Sequence, residues 1–523
     1  MLNTRWESAT NDLMSIFRKT ISAGEVWKSH VVAKMKEPHC WICENAVGEI
    51  ERDFFWFTSE QYYEPGVVDN LRLAHGFCPT HTRHFLQTGA NSVITAVYSY
   101  LTWYAIKQLN AARDMLSQKK PKQSSRELCL EAAETLRPRA ICPMCAGLHN
   151  SEETNIHALT HALAFADVRG AYEKSPGLCL PHFRQVANQT EWNTVVFLTA
   201  DMRGRLHSKV ALHRSATALL EQAVGIDRVR SLRRGVPSPA LYRRERASGA
   251  YIELAKPDGL WSPTLEELLA QLGEPGCPVC NACGLGVQEY FAWLAQEMDS
   301  KPARSVSWEA TYHVCPSHLW ALYAAGYHQA AMNVGDHIIQ EWLARLNKLA
   351  AELTYRPSEH ALERLRQGLA VWSGKVELQI NRESERPRSH WKKLEAALEP
   401  PQHRLDGLRE IAFRADLCQP CVHVQTTTRQ RLDLILRALE DPAGRKSYHA
   451  GAGLCLRHCV EAAKLAEAPG ALAELLSAQV ARLRMLEWEL GEALRKMSWS
   501  VRYEPKGPEN DAWRRAAQQF CGI

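Results

Sequence analysis

Apolar residues recur along most of this chain at i, i+3, i+4 and i+7, the period of a helix with one buried face. The segments 84–116 (HFLQTGANSVITAVYSYLTWYAIKQLNAARDML) and 318–353 (HLWALYAAGYHQAAMNVGDHIIQEWLARLNKLAAEL) carry the pattern furthest. Shorter stretches, 43–60 (CENAVGEIERDFFWFTSE) and 283–298 (CGLGVQEYFAWLAQEM), carry it too. Polar turns containing Gly or Pro separate such stretches, as at YEPG (63–66), EKSPG (173–177) and DPAG (441–444). No run alternates apolar and polar positions with β-branched residues as a strand does. The pattern predicts a nearly all-α fold. The first 27 residues read as a helix, since they lack the unbroken apolar stretch and small-residue cleavage site of a secretion leader. The most apolar segment, NSVITAVYSYLTWYAI (91–106), is short for a membrane span and is broken by Asn, Ser, Thr and Tyr. It predicts a buried core helix, no membrane insertion and a cytoplasmic protein.

Composition narrows this picture. A chain of 523 residues is too long for one ordinary core and implies about two to four domains. An apolar share of 46% with 23% charged residues is that of a globular protein. A net charge of +5 is a small excess over such a length and does not point to nucleic acid or an anionic membrane. Without a secretion signal, the sixteen cysteines read as metal ligands or redox thiols rather than disulfides.

Their positions form an internal repeat. CWIC places Cys40 and Cys43, and GFCPTH then places Cys78 and His81. CPMC gives Cys142 and Cys145, followed by Cys179 and His182 in GLCLPHF. CPVC gives Cys277 and Cys280, followed by Cys315 and His318; CQPC gives Cys418 and Cys421, followed by Cys455 and His458. The pattern is C-x2-C-x33/34-C-x2-H, four times over. Four copies at matched spacing exclude chance placement of buried cysteines and helix-capping histidines. The four cysteines outside the pattern are Cys129, Cys283, Cys459 and Cys521.

The chemistry follows from the spacing. CxxC on a tight turn sets two thiolates on one side of the backbone, and Cys and His three apart at a helix start share a face. A gap of 33 or 34 residues allows one helix out and a return, so each module is expected to close its own Cys3His set. Such a set is a standard tetrahedral zinc complement. With four protein ligands a site is closed to substrate, so the expected role is to staple a helix pair, by on the order of 10 kcal/mol per ion. An iron–sulfur cluster on the same residues is the alternative. Cys283 extends CPVC to CxxCxxC, yet Ala46, Leu148 and Val424 hold its place in the other modules. It and Cys459 read as spare helical cysteines.

CPMC…GLCLPHF and CWIC…GFCPTH…HF are similar to an uncharacterised family of bacterial helical proteins that carry CPxC followed by G-[FL]-C-x-x-H. The third module departs from the pattern, with HVCPSH lacking the Gly two residues before the Cys. The resemblance implies a metal-bound helical fold and no substrate.

The modules group as two pairs. Residues 1–225 hold the sites at 40–81 and 142–182, and residues 266–495 hold those at 277–318 and 418–458. Between them 226–265 reads as a linker, with seven arginines (Arg228, Arg230, Arg233, Arg234, Arg243, Arg244 and Arg246) that offer a contact for RNA or an acidic partner. A solvated linker is the plainer reading. Residues 384–410 read as a connector, and the tail 496–523 as a loop and a short amphipathic helix whose Trp513, Phe520 and Cys521 dock on the protein itself. Trp56, Trp103, Trp293, Trp320 and Trp342 lie in apolar helical patterns and are expected in the core. Glu49, Glu51, Glu152, Glu153 and Glu289 hold no constant place in the repeat and read as solvated faces. No phosphate-binding loop, dinucleotide fingerprint, nucleophile elbow or HExxH is present, and no thioredoxin-like strand flanks a CxxC, so no enzyme is expected. Three functional readings remain: a zinc-stapled helical scaffold that binds other proteins, holding up to four ions; an electron-transfer protein carrying Cys3His iron–sulfur clusters; or an RNA-binding protein that uses the arginine linker.

Overall fold

The computed structural model describes residues 23–118, 122–210, 215–226, 271–300, 314–353 and 418–522. Among these residues it holds 19 α-helices, two short 3-10 turns and no strand, as the periodicity predicts. The arginine-rich stretch 228–246 and the connector 384–410 lie outside the described residues.

Modules one, two and four repeat one order of four helices, of which three are described in module three. Module one follows α1 (Ala23–Lys34) with α2 (Trp41–Ser59), α3 (Pro65–Leu73), α4 (Pro79–Gln87) and α5 (Asn91–Leu116). A connecting helix, α6 (Ser125–Thr135), begins at a capping box in which Ser124 and Glu127 satisfy each other's backbone N–H groups. Module two is α7 (Pro143–Ala162), α8 (Ala166–Lys174), α9 (Leu180–Gln189) and α10 (Trp192–Val210), followed by α11 (Ala216–Val224). Module three shows α12 (Pro278–Ser300), α13 (Pro316–Ala324) and α14 (His328–Leu353). Module four is α15 (Gln419–Ala438), α16 (Pro442–Ala450), α17 (Leu456–Leu465) and α18 (Pro469–Lys496), followed by α19 (Ala512–Cys521).

The chain forms two compact units, and each takes described residues from both halves of the sequence. The first comprises 23–44, 153–210, 215–226 and 334–353. Its interior includes Phe183, Leu198, Met202 and Leu220, and Trp342 of α14 meets Phe183 edge-on at 6.0 Å between ring centroids. The second unit holds the remaining described residues. Its centre is the pairing of α5 with α18, the long helices of modules one and four. Val97, Leu101 and Leu109 on α5, and Leu472, Leu476, Leu483 and Leu490 on α18, are buried at helical spacing. Each such side chain contributes about 1.5–3 kcal/mol on removal from water. The 91–106 stretch is therefore a core helix, and no helix among the described residues is long and apolar enough to cross a membrane.

The tail docks within the second unit, as expected. Phe520 of α19 packs on Tyr98 at 5.7 Å, and Cys521 donates its thiol to the carbonyl of Phe77 at 3.1 Å. The tryptophans divide. Trp320 and Trp342 are buried, whereas Trp56 and Trp103 are 48% and 46% exposed, against the core expectation. Trp103 stands on the outer side of α5, where Lys107 lies 3.5 Å over its ring. In helices this apolar on all sides, periodicity does not tell the buried face from the outer one. Among the carboxylates, Glu51, Glu153 and Glu289 lie on exposed positions and Glu49 pairs with Arg52.

Candidate metal centres

The structure gathers all sixteen repeat residues into four Cys3His groups, each able to hold a metal ion. The grouping differs from the expected one. Cys40 and Cys43 meet Cys179 and His182 (site 1), while Cys78 and His81 meet Cys142 and Cys145 (site 2). Cys277 and Cys280 meet Cys455 and His458 (site 3), while Cys315 and His318 meet Cys418 and Cys421 (site 4). No module closes on itself. In each half, the outer two motifs form one group and the inner two the other. Site 1 lies in the first unit and sites 2, 3 and 4 in the second.

Helix length explains the correction. In module four the gap is filled by α15, 20 residues long, and α16, only 9. At 1.5 Å per residue the chain travels about 30 Å out and only about 13 Å back, so CxxC and CxxH stay apart. The partner helix supplies the missing return. Cys283 on α12 reaches the carbonyl of Val424 on α15 at 3.6 Å and Thr428 Oγ1 at 3.3 Å. Gly286 lies against His423, so rising numbers on α12 meet falling numbers on α15 and the two run antiparallel. That crossing brings each CxxC to the other module's CxxH.

All eight motifs begin a helix in the same way. The carbonyl of each leading Cys accepts the N–H four residues on, from Glu44, Thr82, Ala146, Phe183, Asn281, Leu319, Val422 and Cys459, at 2.8–3.1 Å. CxxC is therefore not an isolated tight turn. It occupies the N-cap and third helical position, as CxxH does. Cys78, Cys179, Cys315, Cys418 and Cys455 are N-caps with extended backbone. The Pro after Cys78 and Cys315 takes the first helical position, where its missing N–H costs nothing. Each group thus faces two helix N-termini, whose partial positive charge stabilises thiolates.

The distances are those of one small ion. Sulfurs lie 3.7 Å apart for Cys43–Cys179 and Cys78–Cys145, and 3.8 Å for Cys280–Cys455 and Cys315–Cys421. Every histidine presents Nδ1, with His182 Nδ1 3.2–3.5 Å from its three sulfurs and His318 Nδ1 3.3–3.5 Å from its own. All ligand atoms of a group lie within 4.8 Å of one another. A tetrahedral ion with bonds of about 2.3 Å to sulfur sets its sulfurs about 3.8 Å apart. A histidine ring stands beside an aromatic at both inner groups: Phe54 at 6.3 Å from His81, and Phe291 at 6.4 Å from His318. Burial opposes charge at His81, but hydrogen bonds with Cys142 and Cys78 outweigh it and push its pKa up to about 9. Burial likewise works to raise Cys40, yet hydrogen bonds from Cys179 and Cys43 hold it well below the usual thiol range.

The four remaining cysteines stay outside the groups. Burial pushes Cys459 and Cys521 up to about 12, the protonated, inert form. Cys283 is buried beside Thr428.

Three sets of supporting residues escaped sequence reasoning. Arg205 donates to the carbonyls of Ser175 at 2.6 Å and Tyr172 at 2.9 Å, in the loop that leads to Cys179. Arg482 donates to the carbonyls of Gly451, at 3.1 Å, and Tyr448, in the loop that leads to Cys455. Each guanidinium also lies over the tyrosine ring, at 5.4 Å for Tyr172 and 4.8 Å for Tyr448. Secondly, Gln222 donates to the carbonyl of Leu178 at 2.9 Å and Gln519 to that of Ala452 at 3.1 Å. Thirdly, Gly225 and Gly522 end α11 and α19 directly against ligand sulfurs. A Cβ on Gly225 would sit 3.3 Å from Cys43 Sγ, and one on Gly522 only 2.1 Å from Cys280 Sγ. Both take positive φ, +84° and +67°, which side-chain-bearing residues avoid. Gly522→Ala is accordingly expected to displace α19 and lower the melting temperature. An unchanged melting curve would show that the α19 terminus does not press on site 3.

Residues 25–195 match a family of unknown function, DUF6062. No curated protein and no solved structure matches the chain.

Proposed function

We propose that this protein is a cytoplasmic helical scaffold, stapled by up to four zinc ions held by the sixteen repeat residues, that binds other proteins. The observation that carries the zinc reading is the compactness of the groups, all ligand atoms lying within 4.8 Å. Zinc takes three thiolates and one imidazole in a tetrahedron of that size. An iron–sulfur cluster distributes its cysteines over several irons and needs them farther apart. The ion would supply folding free energy and no reaction, since its four positions are filled by protein. The scaffold reading draws on exposed aromatic side chains, among them Trp488, Trp499 and Tyr503 at 63%, 73% and 79% exposure, of the kind enriched at protein interfaces. No catalytic motif competes with it.

The test is metal analysis with a visible spectrum on protein purified without oxygen. Colourless protein with about four zinc ions per chain, one for each group, is expected. Brown protein with iron and acid-labile sulfide would replace this reading with electron transfer.

A further inference from the structure

The four groups are not closed to the same degree. At site 1 all four ligands are buried. At site 3 three are buried, and the fourth, Cys280, lies under Gly522. At site 2 Cys78 and Cys145 are only partly buried, and at site 4 Cys315, His318 and Cys421 are. The difference has a structural origin that repeats in both halves. The outer group of each half is covered by the end of the helix that follows it, α11 over site 1 and α19 over site 3. Gly225 would place a Cβ 3.3 Å from Cys43 Sγ and 3.6 Å from Cys179 Sγ; Gly522 would place one 2.1 Å from Cys280 Sγ and 3.1 Å from Cys455 Sγ. Gln222 and Gln519, three residues earlier, fix these ends to the loops that carry Cys179 and Cys455. No other glycine among the described residues is placed against a ligand sulfur.

We infer that the groups have two jobs: sites 1 and 3 are permanent staples, and sites 2 and 4 are exchange sites that yield zinc to a soluble thiol acceptor, site 4 fastest. The inference rests on the zinc reading above. Exchange at a closed tetrahedral site needs an incoming ligand to reach the ion along an uncovered edge. At site 4 three of the four ligands, Cys315, His318 and Cys421, are only partly buried, and the sulfurs of Cys315 and Cys421 lie 3.8 Å apart. The acceptor's thiol binds as it gives its proton to the Cys421 thiolate that it displaces. One zinc–sulfur bond forms as another breaks, and no electron changes hands. Repetition at Cys315 and the remaining ligands completes the transfer. At site 1 all four ligands are buried, and the end of α11 stands so close that even a Cβ on Gly225 would touch both Cys43 and Cys179 sulfurs. Zinc leaves there only after α11 opens locally, a step with its own free-energy cost.

The experiment mixes the zinc-loaded full chain with excess 4-(2-pyridylazo)resorcinol and follows the coloured complex. Two zinc ions are expected quickly and two at least about tenfold more slowly, the gap being set by local opening. Gly522→Ala should move one ion from the slow phase to the fast one. A parallel measurement needs no variant. Brief N-ethylmaleimide labelling of the wild-type chain, read by mass spectrometry, should mark Cys421, Cys315 and Cys145 first and Cys43 and Cys179 last. Four ions leaving at one rate, or equal labelling of all five cysteines, overturns the inference and leaves the zinc reading intact. A chain that carries no zinc at the outset sinks both.

Discussion

Removing Cys40 and Cys179 together is expected to cost the protein one metal ion, no more than removing either alone. Cys40→Ser breaks site 1, and Cys179→Ser breaks the same site from the other module. Either variant should hold about three ions where the wild type holds about four, and lose at least ~4 kcal/mol of stability, since a structural ion contributes on the order of 10 kcal/mol. The double variant should match the singles in metal content and in unfolding free energy. Two substitutions in one site cannot remove the ion twice, so the coupling energy nearly cancels the second loss. Cys40→Ser with Cys78→Ser behaves differently. Those residues lie in one module but in sites 1 and 2, so the double variant should hold about two ions. Metal counting on these four variants separates the two groupings directly. If Cys40→Ser/Cys78→Ser loses one ion and Cys40→Ser/Cys179→Ser loses two, each module closes on itself and the crossed arrangement is wrong.

The same contrast marks what was legible in the sequence. All sixteen residues of the four groups are visible from spacing alone, because the same C-x2-C and C-x2-H offsets recur four times. The pairing is not visible. Spacing within a module fixes how long the intervening chain is, not how it divides between helices. A gap split evenly would close a hairpin. The actual split in module four, 20 residues against 9, does not. The all-α class was legible for the converse reason, since one period runs through nearly every segment. The exposed positions of Trp56 and Trp103 were not, because both stand on the outer faces of helices so apolar all round that periodicity does not tell the outer face from the buried one.

Other marks were present but too sparse to read. A tyrosine stands seven residues before both Cys179 and Cys455, as Tyr172 and Tyr448, and a Gln-x-x-Gly closes both halves at 222–225 and 519–522. Each occurs twice, among many coincidences of the same size. Their meaning needs the third dimension, where Arg205 and Arg482, Gln222 and Gln519, and Gly225 and Gly522 hold matching places around sites 1 and 3. The Gly of GLCLPHF and AGLCLRHC belongs with them. Its place beside the cysteine suggests a turn, and Gly177 and Gly453 do take φ of +78° and +73°. A second constraint, added to the positive φ, is a distant arginine. A Cβ on Gly177 would fall 2.7 Å from Arg205 Nε, and one on Gly453 2.5 Å from Arg482 Nη1.

That arginine is expected to matter almost as much as a ligand. Arg482→Met should destabilise the protein by about 3 kcal/mol, since hydrogen bonds to a charged donor contribute about 1.5–3 kcal/mol each and the freed carbonyls stay partly buried. Arg482 bonds two carbonyls, of Gly451 and Tyr448, and covers the Tyr448 ring, so one planar group fixes the whole approach to Cys455. Arg482→Lys should recover little of the loss. An ammonium is a single point and cannot span both carbonyls while lying flat on the ring. Gly453→Ala should produce a comparable loss by a different route, pushing the guanidinium off its carbonyls and straining a positive φ. Because both variants destroy one contact, the combination should cost much less than the sum. Metal content should stay near four ions in all three, since no ligand is touched, while site 3 releases its ion faster to a chelator. Denaturant unfolding together with zinc release measures both effects. Wild-type stability in Arg482→Lys would show that charge alone suffices and that the planar clamp is not what holds the Cys455 loop.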